Sequence, residues 1–296
     1  MCGIVGYYGP KDPKSVIVNG LKRLEYRGYD SAGVAILDGK EFRVVRASGK
    51  LVELQKKLGA EAFSGRIGIG HTRWATHGVP SERNAHPHKV GGVSLVHNGI
   101  IENYQEIRTR LRAAGATLSS DTDSELVAHL LSQAVATTGD LLKAVIKILP
   151  ELTGAYSILA VWEGQPERMI AFKNGPPLIV GLGEQEVVVA SDVQAIISHT
   201  PRVVYLNDLE IAEINGAKNG AKVDFYSAQG LPIQRHPQIV DWTTEQAEKA
   251  GFKHFMLKEI HEQPEVISHT LANYIDFSKL TNEQKLAVQT TSGPIL

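Results

Sequence analysis

Cysteine is nearly absent from this chain: one residue, Cys2, stands in a length of 296. That excludes an intrachain disulfide and a cysteine-based zinc site. Surplus charge is missing too. Lys and Arg number 31 against 32 Asp and Glu, a formal net charge of −1, and neither sign is gathered into blocks. With no basic stretch and no acidic tail, there is no electrostatic footprint for nucleic acid or for a charged partner. No apolar run approaches the ~20 residues that span a membrane, and no charged segment leading into a short apolar one opens the chain. Internal repeats and low-complexity tracts are not seen. What remains is an ordinary globular composition, 43% hydrophobic and 21% charged, long enough for one large domain or two modest ones. The expected location is the cytoplasm.

The place of the lone cysteine is as informative as its rarity. Only Met1 precedes it, so removal of Met1 would give Cys2 a free α-amine beside its own thiol. An α-amine titrates near pH ~7.7–8.0, against ~10.4 for lysine, and so is partly neutral near neutrality. It can accept the thiol proton directly or through a water, making the thiolate that attacks. The competing reading is a small buried hydrophobe at the start of a strand. Position two alone does not decide between them; an oxyanion hole and a substrate clamp must come from elsewhere in the chain.

Taken in order, Ile4 to Tyr8 predict a buried first strand, and Asp12-Pro13 cap a helix with Ile17, Leu21 and Leu24 on one face, running to about Gly28. Residues 34–37 and 42–45 predict a hairpin, with Asp38-Gly39 supplying a type I′ turn. Leu51, Leu54 and Leu58 mark a short helix. Helices follow around Ile107 and Leu111, around Leu126 and Leu130 with Thr122 and Glu125 as a capping box, and after Asp140. Beyond Pro150 the pattern turns to short β-rich runs at 156–162, 169–172, 178–180, 187–190, 203–206, 209–214 and 223–226, with one short helix near 192–198. Many short strands with a few helices predict an α+β fold with large, mainly antiparallel sheets. From about Pro237 the chain becomes polar and helix-prone, with a second helical pattern at 281–288 and an apolar end at 293–296. The expected division is a domain over 2–236 and a linker over 237–296.

Three stretches concentrate chemistry. Residues 71–78 (HTRWATHG) place Arg73, Trp74, Thr76 and His77 at a strand end, where binding groups collect. Arg73 offers a planar fork suited to a carboxylate. Asn98-Gly99 closes the predicted strand 93–97 with no partner strand at hairpin distance, so an amide and a glycine N–H could converge on a developing oxyanion rather than form a turn. Asp123 sits in the first turn of a helix, where the helix dipole favours a carboxylate whether or not it meets a ligand ammonium. The loop 24–33 reads as a turn with solvated charges. His86 and His88, flanking Pro87, lack further ligands in register, so a proline-stiffened loop is expected there and no metal.

Taken together, CGIVGYYG at Cys2, LEYRGYDSAG at Leu24, HTRWATHG at His71, HPH at His86, VHNGIIEN at Val96, SDTDSE at Ser120 and HFMLKEIHEQP at His254 resemble the amino-terminal glutaminase half of the glutamine–fructose-6-phosphate aminotransferases. These belong to the N-terminal nucleophile hydrolases, and the resemblance implies a four-layer αββα sandwich. It implies Cys2 as nucleophile on the side-chain amide of L-glutamine, with its own α-amine as base, and Asn98 and Gly99 as oxyanion hole. Arg73 would hold the glutamine α-carboxylate, supported by Thr76 and His77, and Asp123 would take the α-ammonium. Trp74 would gate ammonia release, and Arg27 would stand behind the site. A γ-glutamyl thioester would form and be hydrolysed, with no cofactor. The sugar-phosphate isomerase domain expected to follow the linker is not in this sequence.

Two other readings stay open at this point. A donor domain of purine-nucleotide or asparagine synthesis would share only Cys2, the Arg-Gly loop and Asn-Gly with this chain. A silent glutamine-binding module would share the whole constellation without the chemistry.

Overall fold

The first strand, β1 (Gly3–Tyr8), shows how the layers arise. Successive side chains of a strand point to opposite faces, and here Ile4 and Tyr8 enter one apolar cluster while Val5 and Tyr7 enter another. The strand is therefore covered on both sides and reads as a continuous apolar run. In this computed structural model the described residues are 2–75, 78–217, 220–241, 252 and 255–274.

Two sheets are built around it. One holds, in spatial order, β15 (Gln238–Ile239), β11 (Arg202–Tyr205), β9 (Ile179–Leu182), β10 (Val187–Ala190), β1, β4 (Ile67–Arg73), β2 (Ser31–Asp38) and β3 (Glu41–Ser48). The other holds β14 (Pro232–Ile233), β13 (Gly220–Ser227), β12 (Glu210–Ala217), β8 (Gln165–Asn174), β7 (Gly154–Trp162), β6 (Val93–Ile101) and β5 (His88–Val90). Neighbours pair antiparallel, among them β1 with β4 and β6 with β7.

Three apolar clusters fix the stacking. Helices α1 (Pro13–Leu24) and α2 (Leu51–Leu58) pack on the outer face of the first sheet through Ile17, Leu21, Leu51 and Leu54. Ile69, Val96, Leu159 and Val189 fill the space between the sheets. Helices α3 (Tyr104–Ala113), α4 (Asp123–Thr138) and α5 (Leu141–Ile148) cover the second sheet through Ile107, Leu126, Leu130 and Val145. The architecture is a four-layer αββα sandwich.

Local chemistry starts the helices where the sequence places them. Asp12 accepts hydrogen bonds from the Lys14 and Ser15 N–H groups at 3.1 and 3.2 Å ahead of α1, and Asp140 accepts from Lys143 N–H at 2.9 Å ahead of α5. Helix α1 ends at Leu24, and a 3₁₀ turn (Glu25–Arg27) carries the chain on to Gly28.

Three local expectations need correction. In the β2–β3 hairpin Asp38 is still paired, to Glu41, so the turn residues are Gly39 and Lys40. Only Gly39 takes positive φ, 65°, as a type II′ turn requires at its first central position; a type I′ turn needs two such residues. Asn98-Gly99 does not end its strand. β6 continues to Ile101, with Asn98 opposite Ser157 and Gly99 opposite Tyr156. The capping box is half formed. Thr122 Oγ1 accepts from Glu125 N–H, but the Glu125 carboxylate accepts from Ser119 and Ser120 instead of reaching back to Thr122.

The chain divides into two compact units, Met1–Trp242 and Thr243–Leu296. The sequence reading places the domain edge at residue 236; β15, just beyond it, pairs with β11. The second unit contains α6 (Phe255–Tyr274), with Pro264 inside it. The helical pattern at 281–288 and the apolar end at 293–296 lie outside the described residues.

Candidate active site

Strand parity decides what meets at one end of the sandwich. On β4, Ile67 and Ile69 face the second sheet, and the same alternation carries His71 and Arg73 to that face. Across the gap, Val96 of β6 faces inward, and Asn98 follows it, while His97 turns the other way towards α4. Cys2 precedes β1 on the parity of Ile4. Cys2, Arg73, Asn98 and Gly99 thus line one cavity of about 360 Å³, together with Arg27, Trp74 and Asp123. That volume suits a small metabolite.

The nucleophile candidate is tied to the end of β4. The Trp74 backbone N–H donates to Cys2 Sγ at 3.2 Å, and the thiol lies 3.5 Å from the Trp74 carbonyl. Burial raises the Cys2 pKa, and the Trp74 N–H only partly offsets this. The group is therefore a thiol at neutral pH and needs a base to become nucleophilic. Asn98 Nδ2 donates to the Cys2 carbonyl oxygen at 3.0 Å, and Asn98 Oδ1 lies 3.0 Å from His71 Nε2. Gly99 has φ 119°, and a Cβ there would fall 2.0 Å from the Ala155 carbonyl oxygen, so no other residue fits.

The charged pair is held in place by the backbone. Asp123, at the N-terminus of α4, accepts from the Ile101 N–H at 2.8 Å and is buried. Ser124 beside it bonds His97 Nδ1 at 2.8 Å, which links α4 to β6. Arg73 is buried as well and donates to the Gly78 carbonyl at 3.2 Å. Burial lowers its pKa, with the carboxylates of Asp30 and Asp123 pulling it back up. Arg27 lines the cavity with its guanidinium engaged elsewhere. It pairs with Asp192 at 2.8 Å and donates to the Ser191 carbonyl at 3.1 Å, tying the first loop to the end of β10. Trp74 is 49% exposed and packs edge-on against Tyr29. Thr76 and His77 lie outside the described residues.

Several residues at the site were not singled out by their sequence. Asp30 sits in the loop that reads as solvated charge. Its carboxylate accepts from the Ala75 N–H and its own N–H donates to the Arg73 carbonyl at 3.1 Å, so it pins the segment bearing Arg73 and Trp74. Gly28 lets the loop lie against that segment: a Cβ there would be 2.8 Å from the Arg73 carbonyl carbon. Ser191 also lines the cavity, with Pro176 and Pro177, and so does His86, which the sequence reading gives to a proline-stiffened loop. The available signal was buried polar residues on otherwise apolar strands, as with His71 facing the second sheet and His97 facing α4. No group of three or more metal-binding side chains gathers among the described residues.

A half-buried thiol beside an amide donor, with a cation and an anion fixed in the same cavity, is suited to acyl transfer from an α-amino acid amide. The family profile of the glutamine amidotransferase domain matches residues 71–198. Residues 71–198 thus carry a glutamine amidotransferase domain, and the fold is that of a class II glutamine amidotransferase of the N-terminal nucleophile type. The chain is homologous to the donor part of the glutamine–fructose-6-phosphate aminotransferases. The isomerizing enzyme of Clostridium tetani is 47% identical over 281 residues, 94% of this chain and 45% of the relative. The Thermus thermophilus enzyme is 46% identical over 290 residues, 97% and 47%. The chain thus spans about half the length of the curated relatives it matches. Among solved structures, glutamine phosphoribosylpyrophosphate amidotransferase of B. subtilis has TM-score 0.64 at 26% identity, covering 75% of this chain and 48% of that one. An allosteric regulatory enzyme of purine biosynthesis has TM-score 0.65 at the same identity and coverage.

Proposed function

We propose that this chain hydrolyses the side-chain amide of L-glutamine to glutamate and ammonia. One observation carries the reading: Cys2, Asn98, Arg73 and Asp123 share a single cavity. Glutamine presents a carboxylate and an ammonium at one end and an amide at the other. Arg73 takes the carboxylate and Asp123 the ammonium, which leaves the amide carbon for Cys2. The α-amine of Cys2, exposed by loss of Met1, accepts the thiol proton. The thiolate adds to the amide carbon, and its oxygen is met by Asn98 and the Gly99 N–H. The C–N bond breaks, the nitrogen takes the proton held by the amine, and ammonia leaves a γ-glutamyl thioester. Water then adds, the C–S bond breaks, and glutamate departs with the thiol restored. Trp74 at the cavity mouth gates the ammonia, Arg27 steadies the loop beside it, and Thr76 and His77 support the carboxylate clamp. No cofactor enters these steps.

In the complete protein the ammonia passes to a sugar-phosphate isomerase domain that makes glucosamine 6-phosphate from fructose 6-phosphate in the cytoplasm. Residues 2–236 act as the glutaminase domain, and 237–296 lead towards that partner. Support comes from relatives about twice as long as this chain. The test is treatment with an electrophilic glutamine analogue followed by mass spectrometry. One adduct on Cys2 in a chain lacking Met1, with glutamate release that Cys2→Ala abolishes, is expected. An intact Met1 with no adduct and no glutamate favours a silent glutamine-binding module instead.

A further inference from the structure

His71 has no role in the reaction as written, yet it is fully buried beside the cavity. Parity on β4 aims it between the sheets, where its Nε2 lies 3.0 Å from Asn98 Oδ1. The Asn98 amide nitrogen is committed elsewhere, donating to the Cys2 carbonyl oxygen at 3.0 Å. With NH₂ turned to Cys2, the oxygen faces His71, and the contact is a hydrogen bond only if Nε2 carries the proton. Burial pushes His71 down to about 3, so the ring is neutral and holds a single N–H. Nδ1 finds no hydrogen-bond partner among the described residues.

The ring is also held in place. His86 packs against it with centroids 4.3 Å apart, and His86 Nδ1 accepts from the His97 N–H at 3.3 Å. His97 precedes Asn98 on β6, so the histidine pair is anchored to the strand whose amide it orients. An Asn98 amide turned over would set its oxygen against the Cys2 carbonyl and against any oxyanion in the cavity.

We propose that His71 is a positioning residue: its Nε2–H locks the Asn98 carboxamide with one N–H on the Cys2 carbonyl and the other available to the oxygen of the scissile amide. This rests on the glutaminase reading, and its test separates the two. His71→Leu removes the donor, and His71→Gln returns an N–H close to the position of Nε2. For His71→Leu, kcat should fall ~100-fold or more, the usual loss for one oxyanion donor, while KM stays within ~threefold. Alkylation of Cys2 by iodoacetamide, a displacement at saturated carbon that forms no oxyanion, should keep its rate. His71→Gln should recover most of kcat. Unchanged kcat in His71→Leu overturns the proposal, as does a glutamine variant no better than the leucine one, or alkylation that slows in step with kcat.

Hydrogen exchange of the Asn98 side-chain amide, read by NMR, decides the matter independently of turnover. Slow exchange in the unaltered chain and His71→Gln, with exchange at least ~10-fold faster in His71→Leu, supports the lock. Equal rates in all three overturn it. If His71→Leu does not fold, His71→Gln and the unaltered chain decide alone: slow exchange in both supports the lock and fast exchange in either overturns it. If the unaltered chain releases no glutamate, the glutaminase reading falls and the exchange rates still settle the His71–Asn98 bond.

Discussion

The layer between the two sheets has two chemistries along its length. Through the middle, Ile69, Val96, Leu159 and Val189 meet with every side chain at 0% exposure, so nothing there needs a hydrogen bond. At the Cys2 end the same strands, with the same alternation, present His71, Arg73 and Asn98. The backbone plan does not change; the side chains do. A buried polar group costs a few kcal/mol unless it is bonded. The polar end therefore persists as linked pairs: His71 to Asn98, Asn98 to the Cys2 carbonyl, Asp123 to Ile101 N–H and Asp30 to Ala75 N–H. Apolar packing holds one half of the layer, and hydrogen-bonded pairs hold the other.

That contrast can be broken from either half. The largest effect on glutamine affinity is expected at the polar end. Asp123→Asn keeps an acceptor for Ile101 N–H but removes the charge facing a ligand ammonium. It should weaken glutamine binding by about 2 kcal/mol or more, ~30-fold in KM, with little change in melting temperature. Leu159→Ala should do the reverse. It leaves a cavity in the apolar middle and should lower stability by about 2–5 kcal/mol in denaturant titration, while KM for glutamine stays put.

Acid should find the polar end first. Burial depresses His71 and His88 to about 3 and pushes His86 well below its ordinary 6.5. The unfolded chain thus binds protons that the folded one refuses, and stability falls as pH drops from about 6.5 towards about 3. A melting temperature that falls steadily from pH 7 to pH 5 is expected, and His88→Gln should flatten the slope. Smallest is Thr122→Ala, which removes the N-cap of α4 and the contact with His88 Nε2, with an expected loss of about 1 kcal/mol in the same titration.

Much of the fold was legible because its signals are local. Period-two and period-3.6 patterns place most strands and helices, and Asp12, Thr122 and Asp140 mark helix starts that the structure repeats. The failures were also local, and each was overruled by a pairing. The strand read over 93–97 stops at Asn98-Gly99 on local signals, but β7 supplies a partner for every residue through Ile101. Glu125 looks like the second half of a capping box, but two serines upstream offer both N–H and hydroxyl donors to its carboxylate. Asp30 was hidden by its setting, a loop rich in glycine and charge, because its partner lies 45 residues away on Ala75.

The sequence by itself determined which elements form and which residue types are available, since caps, turns and alternation act over a few residues. Only the tertiary structure decided that Cys2, His71 and Asn98 become neighbours. Their contacts join separate strands of two sheets, and no local rule reaches across that distance. Close packing of the four layers fixes it, and the hydrogen bonds among the buried polar groups set the orientations within it.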